Sequence, residues 1–169
     1  MPGSPTDPGG PRDHAVAVAR ADYLWFADLA LRSMARIVAD LGDEAANRRP
    51  PFAGANSPYV ILTHCLGVLE YWAGATVAGR PIERDRAAEF TASGPVAALL
   101  TRAEKARERL AADLGALEAW ELPHGVQRDP DDPVPYGETK GAVLLHILEE
   151  LFQHLGQMEI TRDALNMAP

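Results

Sequence analysis

The amino-acid sequence predicts an all-α fold, a single four-helix bundle with long connections between helices 2 and 3 and between helices 3 and 4. Apolar residues recur at helical spacing in four separate stretches of the chain. The segments between them lack the strict alternation that is typical of strands. Hydrophobic residues make up 47% and charged residues 24% of the 169 residues, which is the composition of a globular domain large enough to bury a core.

The first predicted helix covers residues 14–41. Its apolar positions share a helical period and are Leu24, Ala27, Leu31, Met34, Ile37, Val38 and Leu41. Gly42 follows, at a position where a left-handed residue would end the helix. Residues 1–13 are rich in proline and glycine and are predicted to form a flexible leader, so that residues 14–169 make up the single domain.

The second predicted helix begins at the pair Ser57-Pro58. A serine side chain can accept a hydrogen bond from the first turn, and a proline at the first helical position loses no N–H group that the helix needs. This helix is predicted to reach about Gly79, and a charged loop over residues 80–93 follows it. The third helix is predicted from the segment 93–95 (Ser-Gly-Pro) to about Leu114.

The fourth predicted helix runs from about Thr139 to Leu165. It follows a connection over residues 118–138 that is rich in Pro, Asp and Gly and contains Trp120 and Tyr136. Unstructured connections of that length are uncommon unless they are functional, so this one is predicted to cover a pocket.

Charge and cysteine content exclude several classes of function. Sixteen Lys and Arg against twenty-four Asp and Glu give a formal net charge of −8, which repels nucleic acid and anionic membrane surfaces. The single cysteine, Cys65, excludes an intrachain disulfide and a multi-thiolate zinc cluster and is predicted to be an apolar packing group. The longest uncharged stretch, residues 50–69, carries three prolines and is unsuited to a membrane-spanning helix. We therefore expect a cytoplasmic protein whose partners are small molecules, with no nucleic acid and no membrane among them.

Polar side chains lie on the apolar stripes of two predicted helices. On the fourth helix His146, Glu150 and His154 are spaced i, i+4 and i+8, and Gln157 follows on the same face. His64 lies on an apolar stripe of the second helix. Because residues four apart on a helix are neighbours, two such side chains can chelate one metal ion.

The spacing alone leaves two interpretations open. A lone inward histidine is most often a core residue bonded to a backbone carbonyl, and an i, i+4 pair of Glu and His is most often a surface pair. A buried cluster of these four side chains would be costly without a cation to coordinate it, and this consideration favours a metal site.

Other polar and aromatic residues are weaker candidates. Arg80, Arg84 and Arg86 follow the second helix and could hold an anionic substrate, although a solvated loop is the more common explanation. Tyr71 and Trp72 could line a substrate pocket, although core packing is the more frequent role of aromatic residues at helical spacing.

Two segments carry a resemblance to a known family. They are SPYVILTHCLGVLEYW (57–72) and HILEELFQHLGQMEITRDAL (146–165), and they resemble the DinB/YfiT-like superfamily of metalloenzymes. Within it they are similar above all to the branch of mycothiol-dependent maleylpyruvate isomerase and related mycothiol transferases. The resemblance covers roughly residues 15–166, includes the order of the elements, and implies a DinB-like four-helix bundle.

The resemblance implies the metal ligands His64, Glu150 and His154, with His146 as a fourth ligand or as a residue that orients the carboxylate of Glu150. Many members carry His where this chain has Glu150. Two imidazoles and a carboxylate suit a divalent metal, zinc first and nickel or iron as alternatives, and leave a position open for a reactant. No catalytic residue is predicted beyond the metal ligands. The resemblance also implies a homodimer paired through helix faces.

Three functions are compatible with this predicted metal site. The first is transfer of a low-molecular-weight thiol cosubstrate, of the mycothiol type, to a small electrophile through a metal-activated thiolate. The second is hydrolysis by metal-bound water. The third is a non-catalytic, metal-binding, stress-associated dimeric bundle.

Overall fold

A computed structural model of the chain describes residues 18–115, 117, 123–125 and 139–167. Its helices are α1 (Arg20–Asn47), α2 (Pro58–Leu69), α3 (Arg86–Glu89), α4 (Val96–Asp113) and α5 (Lys140–Met167), and α2 continues directly into a π-helical segment, Glu70–Val77. Within those ranges the chain contains no strand. The predicted all-α four-helix bundle is confirmed, with α1, α2, α4 and α5 as its long helices.

Two sequence predictions concern residues outside the described ranges. These are the leader over residues 1–13 and most of the connection over residues 118–138, with its Trp120 and Tyr136. Both stay predictions.

The predicted starts of two helices are confirmed by their capping hydrogen bonds. The hydroxyl of Ser57 accepts a hydrogen bond from the backbone N–H of Val60 at 3.2 Å, and the hydroxyl of Thr139 accepts one from Ala142 at 3.0 Å. The predicted start of the first helix at residue 14 is wrong, because Ala19 is extended (φ −65°, ψ 139°) and α1 begins only after it. Val18 is 62% exposed and the first buried residue of α1 is Tyr23, so an earlier turn built on residues 18 and 19 would gain no burial in the core.

A kink at Gly42 shapes the end of α1. The glycine has the predicted positive φ of 67°, but its ψ of 178° is extended, and helical turns resume as far as Asn47. The first helical stretch therefore ends at Gly42, as predicted, and the turns from there to Asn47 were not predicted. The turn beyond the kink makes tertiary hydrogen bonds: Asp43 Oδ1 accepts from the backbone N–H of Val96 at 2.7 Å, and the Asn47 amide bonds both the N–H and the C=O of Gly94. The first turn of α4 is thus capped by α1.

The helix α2 is the centre of the core, since all twelve of its residues are buried. Buried apolar side chains from the other long helices pack in the same core, among them Leu31, Met34, Val38, Leu99, Leu110, Ile147, Leu151 and Met158. In the part of the chain that the structure describes, one helical stretch, Pro58–Val77, is long and apolar enough to cross a membrane, but 78% of its apolar window is buried inside the bundle. This stretch is a core helix, as is common in soluble proteins.

The predicted second helix does extend close to Gly79, but its last eight residues form the π-helical segment. π-Helical segments are rare in proteins, and those that occur are often found at functional sites. The sequence prediction missed it because a continuous apolar run has the same pattern in both kinds of helix.

The helices α2 and α4 run in the same direction. The hydroxyl of Tyr59, near the start of α2, lies beside Gly94 just before α4, and Glu70 pairs with Arg102 further along both helices. Since parallel helices cannot be joined by a short turn, residues 78–95 run back along the bundle. We call this connection the crossover.

The crossover contains α3, so the predicted loop over residues 80–93 is corrected to a connection with one helical turn. Asp85 begins α3 by accepting a hydrogen bond from the backbone N–H of Ala88 at 3.0 Å. That turn points Glu89, its last residue, toward α2, where it is buried.

Two glycines let the crossover approach α2 and its π-helical continuation. A Cβ atom at Gly67 would lie 2.1 Å from Oε1 of Glu89, and a Cβ atom at Gly74 would lie 2.2 Å from Nη2 of Arg80. Both distances are far below van der Waals contact, so the missing side chains leave the space that these two polar groups occupy.

Candidate metal centre

The three predicted metal ligands converge in the structure. Oε2 of Glu150 lies 3.5 Å from Nε2 of His64 and 3.4 Å from Nε2 of His154. One ligand atom from each of the three residues lies within 4.8 Å of the others. The two imidazole rings meet edge to face, with their centroids 4.8 Å apart and an interplanar angle of 85°.

Two helices that run in opposite directions bring these side chains together. Glu150 and His154 are four residues apart on α5 and therefore share one face, while His64 projects from α2 toward that face. His64 is buried, with 6% of its side chain exposed, whereas the side chains of Glu150 and His154 are each 22% exposed. The site therefore has a closed side on α2 and a side on α5 that solvent and small molecules can reach.

Hydrogen bonds orient both imidazoles toward the carboxylate of Glu150. The Nδ1 atom of His64 lies 2.8 Å from Oε2 of Glu89, and the Nδ1 atom of His154 lies 2.7 Å from Oε1 of Gln157. With hydrogen on both Nδ1 atoms, the Nε2 atoms of the two rings face the same small volume and offer their lone pairs there once they are unprotonated. Two imidazoles and one carboxylate arranged in this way fit a divalent metal ion of the zinc, nickel or iron class.

The titration behaviour of the pair on α5 follows from its geometry. Interaction with His154, and then with His64, holds the pKa of Glu150 well below its usual range, although partial burial opposes this. The same contact with Glu150 raises the pKa of His154. Glu150 is therefore a carboxylate throughout the physiological range, and a metal ion must displace a proton that His154 holds more tightly than a free histidine does.

The sequence prediction missed Glu89. Its carboxylate is buried and accepts two hydrogen bonds from Arg84, from Nε at 2.7 Å and from Nη2 at 2.9 Å, in addition to the one from His64. Burial raises the pKa of Glu89, but these hydrogen bonds outweigh it and lower the pKa below its usual value. Arg84, predicted to hold an anionic substrate or to be solvated, instead binds this carboxylate. The one local signal in the sequence is Gly67, three residues after His64 on the same helix face, because a glycine there leaves room for another segment to approach α2.

His146 lies one turn before Glu150 and is separate from the three converging ligand atoms. Its Nδ1 atom is 3.3 Å from Oε2 of Glu149, and its ring meets the edge of Trp72 at 5.2 Å. Its charge interaction with Glu150 is the smallest of the causes that lower the pKa of that carboxyl. The two predicted roles of His146, a fourth ligand or a residue that orients Glu150, both stay predictions.

The predicted pocket aromatics lie close to this end of the site. Trp72 contacts the ring of Tyr71 at 5.3 Å, and the guanidinium of Arg84 lies 5.9 Å above the ring of Tyr71. Tyr71 and Trp72 are both half-buried in the π-helical segment. Their contact with a substrate stays a prediction.

The remaining arginine candidates already have partners. Arg80 donates two hydrogen bonds to the carboxylate of Asp113, at 2.8 and 2.7 Å, and the guanidinium of Arg86 lies 5.5 Å over the ring of Phe90. A role of Arg80 in substrate binding stays a prediction. Cys65 is fully buried in the core, where burial raises the pKa of its thiol, and both facts agree with the predicted packing role.

Comparison with known proteins places the chain in a family. No curated protein matches the chain in sequence. A family model described as the DinB superfamily matches residues 27–158, a range that runs from α1 into α5 and includes all three candidate ligands. That range covers most of the chain, and the helical fold agrees with it. The chain therefore belongs to the DinB superfamily.

Proposed function

We propose that the protein is a metal-dependent enzyme that transfers a low-molecular-weight thiol, of the mycothiol type, to a small electrophile. The observation that carries the proposal is the convergence of His64, Glu150 and His154, with one ligand atom from each within 4.8 Å of the others, beside a partly exposed face. Three protein ligands leave a coordination position free, which distinguishes catalytic from structural zinc sites. Zinc is the metal we expect first, with nickel or iron as alternatives.

The residues of this chain perform three tasks in the proposed reaction. His64 and His154 present their Nε2 lone pairs, and Glu150 supplies a carboxylate that is already ionised. A bound divalent ion supplies a lowered pKa for a coordinated thiol or water. We expect an organic substrate to contact three side chains next to the ligands. These are Tyr71 and Trp72 in the π-helical segment and His146 on α5.

Two other functions use the same geometry. A metal-dependent hydrolase would place water in the free coordination position, and a non-catalytic, stress-associated bundle would leave the metal as a structural element. The resemblance to the mycothiol transferase branch, which includes the order of the helices, is the reason for placing the thiol reaction first, while the geometry of the metal site is common to all three functions. The proposal places the protein in the cytoplasm, where low-molecular-weight thiols are kept reduced.

We also propose that the bundle forms a homodimer through α1 and α5. Leu145, Phe152 and Ile160 recur at spacings of seven and eight on one exposed face of α5, and Phe152 meets Phe26 of α1 with ring centroids 6.3 Å apart. Trp25 extends this face along α1 and is 60% exposed. Exposed apolar side chains on two neighbouring helices suit a second copy of the same surface, because a two-fold axis brings the same patch of each copy together.

The metal site is tested by elemental analysis of protein purified without a histidine tag. We expect one ion per chain in the wild type and in His124→Ala, a control histidine beside Gly79, and loss of the ion in His154→Ala. Equal metal content in wild type and His154→Ala would show that the ligand assignment is wrong.

The reaction is tested with the metal-loaded protein and monochlorobimane, an electrophile that becomes fluorescent when a thiolate displaces its chloride. We expect turnover that requires added mycothiol and is lost in His154→Ala. Thiol-independent hydrolysis of an ester or amide panel would support the hydrolase, and a loaded protein without any turnover would support the non-catalytic bundle.

A further inference from the structure

We propose that Glu89 is a positioning residue of the metal centre, which fixes His64 in the tautomer with hydrogen on Nδ1 and thereby presents its Nε2 lone pair to the cation. This inference rests on the metal site proposed above. It extends that site from the three ligands on α2 and α5 to the crossover, which carries both Glu89 and the arginine that holds it.

The position of Glu89 excludes it as a ligand of the same ion. The two nitrogens of an imidazole point away from each other, and Glu89 contacts Nδ1 at 2.8 Å while Glu150 lies 3.5 Å from Nε2. An ion between Nε2 of His64 and Glu150 therefore lies across the ring from Glu89. The carboxylate acts on the ligand and not on the metal.

Arg84 makes Glu89 a fixed hydrogen-bond acceptor. The guanidinium donates from Nε to Oε1 at 2.7 Å and from Nη2 to Oε2 at 2.9 Å, a two-point contact that holds the carboxylate in one plane. A carboxylate held in this way has no proton to give, so the Nδ1 atom of His64 must be the donor. The positive charge of Arg84 also compensates the charge of Glu89, whose side chain is only 7% exposed.

The Nδ1 atom of His64 has a second polar neighbour, Nη2 of Arg84 at 3.5 Å, but the contact with Glu89 is much shorter at 2.8 Å and is therefore the hydrogen bond. Phe90, the residue after Glu89, lies against the imidazole with ring centroids 5.1 Å apart, and the His64 side chain is almost completely buried. The space for the carboxylate exists because Gly67, on the same helix face as His64, has no side chain. The crossover thus provides both the hydrogen-bond acceptor of His64, Glu89, and the aromatic ring that packs against its imidazole, Phe90.

Metal affinity and tautomer are the properties that this role predicts. Loss of a carboxylate bonded to a ligating histidine lowers metal affinity by about 10- to 100-fold. A purely structural salt bridge between Arg84 and Glu89 would instead change the stability of the folded protein and leave the affinity of the folded site unchanged.

The experiment measures dissociation constants for Zn²⁺ and Co²⁺ by chelator competition, on full-length wild type, Glu89→Gln, Glu89→Ala and Arg84→Lys. The matched control is Glu70→Gln, which removes a carboxylate that also binds an arginine in two places, Arg102, but does not touch His64. We expect affinity weakened about 10- to 100-fold in Glu89→Ala, less in Glu89→Gln and Arg84→Lys, and unchanged in the control.

A second measurement does not depend on any variant folding. Nitrogen-15 spectra of histidine-labelled, metal-free wild type at alkaline pH should show His64 with hydrogen on Nδ1. Hydrogen on Nε2, or a Glu89→Ala affinity equal to that of the wild type, would overturn the inference. If the wild type itself binds neither ion, the proposed metal site fails instead, so the two failures are distinguishable.

Discussion

The carboxylate of Glu89 fills the space that a side chain at Gly67 would need, since a Cβ atom at position 67 would lie 2.1 Å from Oε1 of Glu89. The atom in the way is the end of a side chain and not backbone. A side chain at position 67 would therefore move the carboxylate without having to move α2 or the crossover.

Gly67→Ala is expected to lower both stability and metal affinity. Alanine favours a helix interior over glycine by up to about 1 kcal/mol, but displacing Glu89 disturbs the hydrogen bonds that this buried carboxylate makes with Arg84 and His64, which are worth about 1.5–3 kcal/mol each. We expect the free energy of unfolding to fall by about 1–3 kcal/mol, while metal affinity falls as it does in Glu89→Gln. Urea unfolding of the metal-free protein and chelator competition measure the two quantities. Unchanged affinity in a folded Gly67→Ala protein would contradict the assigned role of the glycine.

Metal affinity is expected to rise with pH through the neutral range. Since Glu150 raises the pKa of His154, the imidazole stays protonated above the usual histidine range and competes with the metal. Below that raised pKa the affinity should fall about tenfold per pH unit, and above it the dependence should flatten. The pKa of Glu150 is lowered, so its protonation adds nothing near neutrality.

Calorimetric titrations with Zn²⁺ in buffers of different ionisation enthalpy measure the accompanying proton release. We expect one proton per ion from His154 below its raised pKa and less above it. Binding that releases no proton in the lower part of this range would show that His154 is not a ligand.

The cap that α1 provides for α4 should be measurable in stability. Asp43→Ala removes the acceptor 2.7 Å from the Val96 N–H, and loss of such caps costs about 0.5–2 kcal/mol. Asp43→Asn keeps an acceptor and should cost less. Asp40→Ala, an exposed aspartate on the same helix, should change the free energy of unfolding by no more than about 0.5 kcal/mol. Equal effects at positions 40 and 43 in urea unfolding would argue against the tertiary cap.

The proposed dimer is tested by charges on its apolar face. The double variant Leu145→Glu, Ile160→Glu places two carboxylates where the wild type exposes large apolar side chains. We expect a dimer for the wild type and a monomer for the double variant in analytical ultracentrifugation. Ala98→Glu, on an exposed position of α4, should leave the dimer intact. A monomeric wild type at every concentration would refute the homodimer.

Local signals in the sequence mark the polar side chains of the site, and the resemblance to the DinB superfamily is what implies His64, Glu150 and His154 as the ligands among them. Glu150 and His154 share a helix face by their spacing, and His64 is marked by the apolar residues on both sides of it. Antiparallel packing of the two helices then leaves few registers in which one buried and two partly buried polar groups satisfy each other. The starts of α2 and α5 were predictable for a similar reason, since their caps lie within their own segments.

The features that the sequence did not predict depend on contacts between distant segments. Glu89 is one acidic residue among several in a charged stretch, and only the path of the crossover brings it to His64. The helical turn beyond Gly42 is tied to the start of α4 by hydrogen bonds in which Asp43 accepts from Val96 and Asn47 donates to Gly94. No pattern within either segment contains that information, because each pairing is decided by how the helices assemble.

The crossover also affects the order in which the chain closes its loops around His64. Glu89 is 25 residues from His64 along the sequence, whereas Glu150 and His154 arrive from the far end of the chain. Closing the shorter loop costs about 1 kcal/mol less chain entropy. The entropic cost of bringing Glu89 to His64 is therefore lower than the cost of bringing Glu150 and His154 there. The imidazole of His64 can thus be oriented by the first half of the chain before α5 packs against it.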